Sequence, residues 1–390
     1  MLQKEKLSQA TNILHELDVD MWVTVGRETS MNNDPVLPLI STIDFASLSA
    51  LIVTPGGVTV LTGHMDADGA RQTGVYEDVR AYDKSFKEVF FDILKEYNPK
   101  QIALNYSTKD VASDGLSYGM YLQFMNFLEE ANYTGEVISA ENIIGKLRGV
   151  KSPEEKKRIN EAIEIAEKIF EDARGYIKAG VSEIDIYNYF QERLKYYGVE
   201  SGWHPDHCPG VMLGPDTVMG HNAPTDLKAK KGDAITVDFG VRKEGYCTDM
   251  QRVYYLREDH ENSVPEEVQK TFEVIQEAVR RGMAAMKPGV KGFEVDKVAR
   301  DYVLSMGYPN FNFGFGHQVG RKAHDGGLLM APQWDRYKGA NEQELEEDMI
   351  FTVDVNLPTS RGNVGQEDMA IVTKDGGVYI SKKQEEIFLI

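Results

Sequence analysis

The sequence predicts an α+β protein of two domains, the second of which carries two acid-bearing β-hairpins. At 390 residues the chain is long for one domain and sufficient for two. Two stretches of similar character, GDAITVDFG at 232–240 and DMIFTVDVN at 348–356, each place an aspartate within a run of strand-forming residues. Each stretch follows a pair of predicted helices, so the order helix, helix, hairpin occurs twice.

Residues 1–150 are predicted to form the first domain, of mixed α/β type. Apolar residues recur at helical spacing near the start of the chain, and the strand-like MWVTVG follows at 21–26. Two β-rich runs around a Pro-Gly-Gly turn predict a hairpin at 49–63. The remaining predicted elements alternate helix, strand and helix along the chain, at 84–97, 101–106 and 115–131.

Residues 151–390 are predicted to form the second domain. Ser152 and Pro153 mark the start of a helix that is predicted to end at Gly180. Apolar periodicity and end signals predict three more helices, at 182–197, 265–287 and 291–306. The second domain is therefore expected to repeat one architecture, although the two halves share little sequence.

The turn within the first hairpin decides which acids meet. A turn centred on Lys243 and Glu244 sets Asp238 directly opposite Asp249, on one face of the hairpin. Directly opposed residues have Cβ atoms roughly 4.5–5.5 Å apart, and like charges at that separation repel.

The second hairpin repeats this arrangement. A turn centred on Ser360 and Arg361 sets Asp354 opposite Glu367. Two such pairs of opposed acids predict cations between them, because bare carboxylates this close would destabilise the fold. Four carboxylates around a common point predict a two-metal site.

Three histidines lie in loop-like segments near these acids. His317 and His324 occur within the glycine-rich FNFGFGHQVGRKAHDGG at 311–327, and His221 precedes the first hairpin in MGHNAPTD. A single histidine of this kind is more often an ordinary loop residue than a functional one. Three of them flanking an acid-rich site favour a functional role.

Composition excludes several classes of protein. A net charge of −19 and an isoelectric point near 4.9 argue against nucleic-acid binding and against an anionic membrane surface. The two cysteines, Cys208 and Cys247, supply neither a disulfide framework nor a CxxC zinc pattern. The N-terminus lacks the features of a signal peptide, and no apolar run approaches the ~18 residues of a membrane span, so we expect a cytoplasmic protein.

The acids and histidines occur in an order that resembles the pita-bread metallopeptidases. Asp238 is followed by Asp249 after a Gly-Tyr pair, then by GHQVGRKAHD at 316–325, by Asp354, and by Glu-Asp-Met at 367–369. The segment LRGVKSPEEKKRINEAIEIAEKIF also resembles the start of that catalytic domain. The family includes methionine aminopeptidase, aminopeptidase P, prolidase and the metal-free creatinase.

The resemblance implies both a fold and a site. It covers essentially all of 150–390, and residues 1–150 resemble the smaller α/β domain of the creatinase, prolidase and aminopeptidase P branch. A homodimer is implied by that branch. The implied metal ligands are one histidine and four acids: Asp238, Asp249, His317, Asp354 and Glu367.

The implied chemistry is hydrolysis of a peptide. His221 and His324 would contact the substrate and stabilise the tetrahedral intermediate, while Asp354 would also shuttle a proton. Imidazole and carboxylate ligands suit two divalent ions of manganese, cobalt, zinc or iron, with manganese favoured by the carboxylate-rich set.

Three positions depart from the family pattern. Asp354-Val355-Asn356 stands where the family has Glu-Pro-Gly, so the acid reaches less far by one C–C bond, roughly 1.5 Å. Gly365 replaces an arginine two residues before the last glutamate, and Gln251 replaces a small hydroxyl residue. These departures predict a divergent member of the family.

The predicted activity is that of a dinuclear-metal hydrolase, an Xaa-Pro aminopeptidase or dipeptidase that cleaves between an N-terminal residue and proline. The alternatives are a metal-free, creatinase-like hydrolase acting on a small C–N substrate, and a non-catalytic binding module on the same fold. Gly365 predicts an open, uncharged pocket that favours longer peptides over dipeptides, unless Arg361 or Arg321 supplies the missing cation.

Overall fold

Contacts between Cα positions divide the chain into two units. The computed structural model describes residues 2–217, 220 and 222–390. The units are Met1–Arg148 and Gly149–Ile390. Each has its own main sheet and its own hydrophobic core.

The first unit alternates helices and strands. Its helices are α1 (Leu2–Leu17), α2 (Leu37–Ile40), α3 (His64–Gln72), α4 (Phe86–Tyr97), α5 (Tyr118–Glu130) and α6 (Glu141–Gly149). Its strands are β1 (Met21–Gly26), β2 (Ser49–Thr54), β3 (Gly57–Gly63), β4 (Asp78–Tyr82), β5 (Gln101–Leu104) and β6 (Glu136–Ser139). The elements predicted here form within a few residues of their expected bounds, whereas α2, α3, α6, β4 and β6 were not predicted.

Both faces of the first sheet are covered, which explains its apolar strands. The strand order is β4-β3-β2-β1-β5-β6. Trp22 and Leu51 join a core cluster that includes residues of α1 and α6, while Val23 and Ile52 join a second cluster with α4 and α5. Because alternate residues point to opposite faces, a strand covered on both sides reads as a continuous apolar run such as MWVTVG.

The second unit carries longer helices and most of the strands. Its helices are α7 (Pro153–Ala173), α8 (Glu183–Tyr197), α9 (Glu266–Ala285) and α10 (Gly292–Ser305). Its strands are β7 (Glu200–Ser201), β8 (Gly210–Leu213), β9 (Ala234–Phe239), β10 (Val241–Lys243), β11 (Tyr246–Cys247), β12 (Met250–Tyr255), β13 (Gly316–His317), β14 (Leu329–Met330), β15 (Ile350–Thr359), β16 (Gly362–Thr373), β17 (Gly376–Tyr379) and β18 (Phe388–Leu389). No helix within the described ranges combines the length and apolar character that crossing a bilayer requires.

Helix α7 begins as predicted and ends earlier than predicted. Ser152 and Glu155 form a reciprocal capping box at its start. The predicted end at Gly180 is wrong, because the helix stops at Ala173, two residues before Gly175. Glycine is costly in a helix, and the Gly180 amide instead donates to the carbonyl of Ala229.

One sheet of the second unit contains both acid-bearing hairpins. Its strands run in the order β15-β16-β12-β9-β8, with β17 added to β16 and β18 to β12. On β15, Phe351, Val353 and Val355 belong to a core shared with α9. Alternation along the strand therefore points Asp354 and Asn356 to the opposite face.

The first hairpin turns one residue later than predicted. Lys243 pairs with Tyr246, so Glu244 and Gly245 form the turn, and a turn centred on Lys243 and Glu244 is wrong. Both turn residues have positive φ, 47° at Glu244 and 80° at Gly245. Two positive φ values match the type I′ turn, whose twist suits a two-residue hairpin and which favours glycine.

The late turn changes which residue faces Asp238. Asp238 pairs with Gln251 and not, as predicted, with Asp249, which lies just before β12. Moving a turn by one residue shifts the pairing by two residues. Because side chains alternate with a period of two, Asp249 stays on the same face despite the shift.

The second hairpin has the predicted register. Thr359 pairs with Gly362 across the turn of Ser360 and Arg361, and Asp354 pairs with Glu367. The strands of this hairpin are also long, so many paired residues hold the register in place.

Gly316 lets β13 approach β15 closely. A Cβ atom at Gly316 would lie 2.0 Å from the carbonyl oxygen of Thr352 and 2.7 Å from Cε of Met330. The amide of Asp354 donates to the carbonyl of Phe315 at 2.8 Å. The residue after Gly316, His317, is thereby brought beside the acid-bearing strands.

We expect Gly316→Ala to destabilise the second unit by about 1–3 kcal/mol, because a backbone carbonyl cannot move aside cheaply. The measurement is urea unfolding followed by tryptophan fluorescence. Gly175→Ala is the matched control, since its Cβ would meet its nearest neighbour at an ordinary 3.6 Å. Equal effects of the two substitutions would contradict this explanation of Gly316.

Candidate metal centre

Three acids and one glutamine stand in a row across four neighbouring strands. Successive cross-strand partners on β15, β16, β12 and β9 are Asp354, Glu367, Gln251 and Asp238. Cross-strand partners share a face of the sheet. The backbone pairing by itself therefore concentrates negative charge on one line.

Two further residues close around this row. One carboxylate oxygen from each of Asp238, Asp249 and Glu367 lies within 4.8 Å of the others. Nε2 of His317 lies 3.7 Å from Oδ2 of Asp249 and 3.7 Å from Oε1 of Glu367. Asp354 does not come within this distance of the group, as expected for an acid one carbon shorter than glutamate. The strand register nevertheless holds it beside Glu367.

His317 is oriented by contacts that the sequence did not reveal. Its backbone amide donates to Oγ1 of Thr352 at 3.3 Å, and its Nδ1 lies 3.4 Å from the carbonyl of Gln318. A bond to Nδ1 fixes the ring and leaves Nε2 facing the acids. The position of Thr352, two residues before Asp354, could have indicated from the sequence that it contacts the site.

Of the two other histidines, His324 lies beside His317. The ring centroid of His324 lies 4.1 Å from that of His317, and the ring is solvent-exposed. A nitrogen of each ring and an oxygen of Asp249 lie within 4.8 Å of one another. His221 lies outside the described residues.

Burial raises the pKa of every acid in the cluster, and repulsion between the acids adds to the shift at Asp249, Asp354 and Glu367. Burial raises the pKa of Asp238 to about 7. Burial, and then the charge of Asp238, raise the pKa values of Asp249 and Asp354 well above the usual range. Burial followed by the charge of Asp249 does the same for Glu367.

These residues fit a divalent metal ion. Oδ1 of Asp238 is buried and accepts no hydrogen bond from the part of the chain that the structure describes. Burying an unpaired carboxylate oxygen beside like charges is unfavourable, and a cation would satisfy it. Carboxylates with one imidazole suit manganese, cobalt, iron or zinc.

Two amide side chains bind the acids directly. Nε2 of Gln251 donates to Oε2 of Glu367 at 2.9 Å, and Nδ2 of Asn356 donates to Oδ1 of Asp354 at 2.7 Å. The sequence singled out both positions only as departures from a pattern. Their place on the acid-bearing face could have indicated this contact, because Asn356 is two residues from Asp354 and Gln251 two from Asp249.

The space above Gly365 is filled, so the predicted open pocket at this position is wrong. A Cβ atom there would lie 1.8 Å from Oδ1 of Asn356. Of the two suggested arginines, Arg361 is already paired with Glu258 at 2.8 Å, and Arg321 lies over the ring of Tyr246. The groups around Gly365 are thus neutral amides.

Comparisons with known proteins agree with this geometry. The model of metallopeptidase family M24 matches residues 157–374. An uncharacterized peptidase of Bacillus subtilis is 27% identical over 280 residues, which cover 71% of this chain and 73% of that protein. An Xaa-Pro dipeptidase of Pyrococcus horikoshii is 24% identical over 364 residues, or 91% of this chain and 99% of that protein.

A solved structure has the same fold along the whole chain. It is an Xaa-Pro dipeptidase from Bacillus anthracis, with a TM-score of 0.73, 24% identity and coverage of 99% of both chains. The predicted fold is confirmed: a pita-bread unit with a smaller N-terminal α/β unit. Because the M24 model matches more than half of the sequence, this chain belongs to metallopeptidase family M24.

Proposed function

We propose that this protein is a dinuclear-metal-dependent Xaa-Pro peptidase, which hydrolyses the bond between an N-terminal residue and proline. The observation that carries the proposal is the convergence of buried carboxylates and His317 on one face of the sheet in an M24 member. Specificity for proline is supported by similar proteins that are named Xaa-Pro dipeptidases.

The metal ions would be held by the five residues that the family pattern assigns: Asp238, Asp249, His317, Asp354 and Glu367. Two bound divalent ions would supply Lewis-acid activation of water and of the scissile carbonyl. We favour manganese because the ligands are mostly carboxylates.

The residues around the metals would bind the peptide and move protons. Oδ1 of Asp354 accepts a hydrogen bond from the Asn356 amide. We therefore assign to Oδ2 of Asp354 the transfer of a proton from water to the leaving nitrogen. His324 would donate a hydrogen bond to the carbonyl under attack, which its exposed ring beside His317 allows. The same role for His221 rests on the family pattern alone.

We further propose the domain and cellular assignments that the sequence suggests. Residues 1–150 would form the creatinase-like N-terminal domain, and residues 151–390 the catalytic domain. The protein would act as a cytoplasmic homodimer, which is the arrangement implied by its resemblance to the prolidase branch.

The deciding experiment is an assay of Xaa-Pro peptides. Purified protein is stripped with a chelator and reconstituted separately with manganese, cobalt, zinc or iron, then assayed on Ala-Pro, Ala-Pro-Ala and the proline-free control Ala-Ala-Ala. We expect activity only after reconstitution and only on the proline peptides. Full activity in the stripped protein would instead favour a metal-free, creatinase-like enzyme. Inactivity with every metal would favour a non-catalytic binding module.

We expect Asp249→Asn to abolish metal binding at one site while stabilising the metal-free protein. Because the pKa of Asp249 is raised by folding, the folded state binds its proton more tightly than the unfolded chain. Metal-free wild-type protein should therefore lose stability as the pH rises from about 4. Replacing the Asp249 carboxylate with a neutral amide should reduce this loss of stability.

The measurement is thermal unfolding with a chelator at pH 5 and pH 8. The variant should melt several degrees above wild type at pH 8, where 1 kcal/mol corresponds to about 2–4 °C, and the difference should shrink at pH 5. The exposed acid Asp375 provides a matched control, Asp375→Asn. Full metal content in the Asp249 variant would show that Asp249 is no ligand.

We expect the enzyme to prefer tripeptides to dipeptides. A dipeptide places its free carboxylate next to the scissile bond, and the groups at Gly365 are neutral amides while Arg361 is paired with Glu258. The measurement is kcat/KM for Ala-Pro against Ala-Pro-Ala. A clear preference for Ala-Pro would overturn this inference.

A further inference from the structure

Two paired positions beside the acids have exchanged large and small residues. The family pattern has glycine at 356 and arginine at 365, whereas this chain has Asn356 directly opposite Gly365. A Cβ atom at Gly365 would lie 1.8 Å from Oδ1 of Asn356 and 2.6 Å from Oε1 of Gln251. Both distances are far inside van der Waals contact, so a larger residue at 365 would force Asn356 and Gln251 to shift from their present hydrogen bonds.

The space gained is used by a connected set of amides. Asn363 donates to Oδ1 of Asn356 at 2.8 Å, and Asn356 donates to Oε1 of Gln251 at 2.9 Å. The set ends on two acids, because Asn356 also donates to Asp354 at 2.7 Å and Gln251 donates to Glu367 at 2.9 Å. Asn356 and Gln251 are buried, with 8% and 5% exposure.

The direction of these hydrogen bonds is determined by the acids. A carboxylate that binds a metal ion is ionised and only accepts hydrogen bonds, so the nitrogen of each amide must face it. Asn356 then uses both protons of Nδ2, one for Asp354 and one for Gln251, and its oxygen is left to accept from Asn363. Flipping either amide would place an oxygen against a carboxylate and leave buried protons unpaired.

We propose that Asn356 and Gln251 are positioning residues that hold the carboxylates of Asp354 and Glu367 for metal binding, and that Gly365 is required to admit Asn356. The three departures from the family pattern are thus linked, because Asn356 bonds to Gln251 and occupies the space above Gly365. Asn356 fixes the orientation of the Asp354 carboxylate. This inference rests on the proposed function, since it assigns partners to the proposed metal ligands.

Metal affinity tests the positioning role. The full chain carrying Asn356→Ala or Gln251→Met is titrated with Mn²⁺ by calorimetry, alongside the control Gln269→Met on the exposed face of α9. We expect each site variant to bind Mn²⁺ about 10- to 100-fold more weakly, and the control to match wild type. Melting temperatures recorded on the same samples separate lost positioning from lost folding.

A double substitution tests the requirement for Gly365. Gly365→Arg alone should lower the melting temperature, because the new side chain meets Asn356. Asn356→Gly combined with Gly365→Arg removes the nearer overlap and frees Oε1 of Gln251, the second neighbour of position 365, from its hydrogen bond to Asn356, so it should recover most of the melting temperature. If the enzyme is active, the double variant should also shift the ratio of kcat/KM for Ala-Pro over Ala-Pro-Ala upward, by about 10- to 100-fold, through one charge-assisted bond.

The outcomes separate this inference from the proposed function. Mn²⁺ affinity within twofold of wild type in both Asn356→Ala and Gln251→Met would overturn the positioning role, even in an active enzyme. Equal melting temperatures of Gly365→Arg and the double variant would overturn the coupling. A protein that hydrolyses no Xaa-Pro peptide but shows both effects would refute the proposed function and support the inference.

Discussion

Repulsion between buried carboxylates is the constraint on which the site depends. The backbone pairing of four strands sets Asp354, Glu367 and Asp238 on one line, and Asp249 joins them from the segment just before β12. That repulsion is offset collectively. It is opposed by the whole ladder of β15 and β16 and by the apolar core between β15 and α9, which together prevent the acids from moving apart.

The two faces of this sheet have different roles: one packs into the hydrophobic core and the other carries the acids. Odd-numbered residues of β15 such as Val353 and Val355 pack into the core, and the even-numbered Asp354 and Asn356 face the acids. Register is therefore strongly specified, because a slip of one residue would bury acids in the core and expose valines. A metal site built on such strands inherits their rigidity, which favours reproducible placement of ligands.

The sequence predicted the parts of the site that depend on local rules. The pairing of Asp354 with Glu367 followed from a turn that was correctly located, but that of Asp238 was missed because positive φ at Glu244 and Gly245 moved the turn. The placement of His317 depends on a close approach between distant strands, and the contacts of Asn356 on amide direction. Neither property is encoded by local spacing.

The exchange of size between positions 356 and 365 has an evolutionary consequence. Asparagine in its present position is incompatible with arginine opposite it, since even a Cβ at 365 would overlap Asn356. A lineage moving between the Gly–Arg and Asn–Gly pairs avoids this overlap by passing through glycine at both positions. Such an intermediate would have neither the cation nor the Asn356 amide, so the carboxylate of Asp354 would have its weakest support at that step.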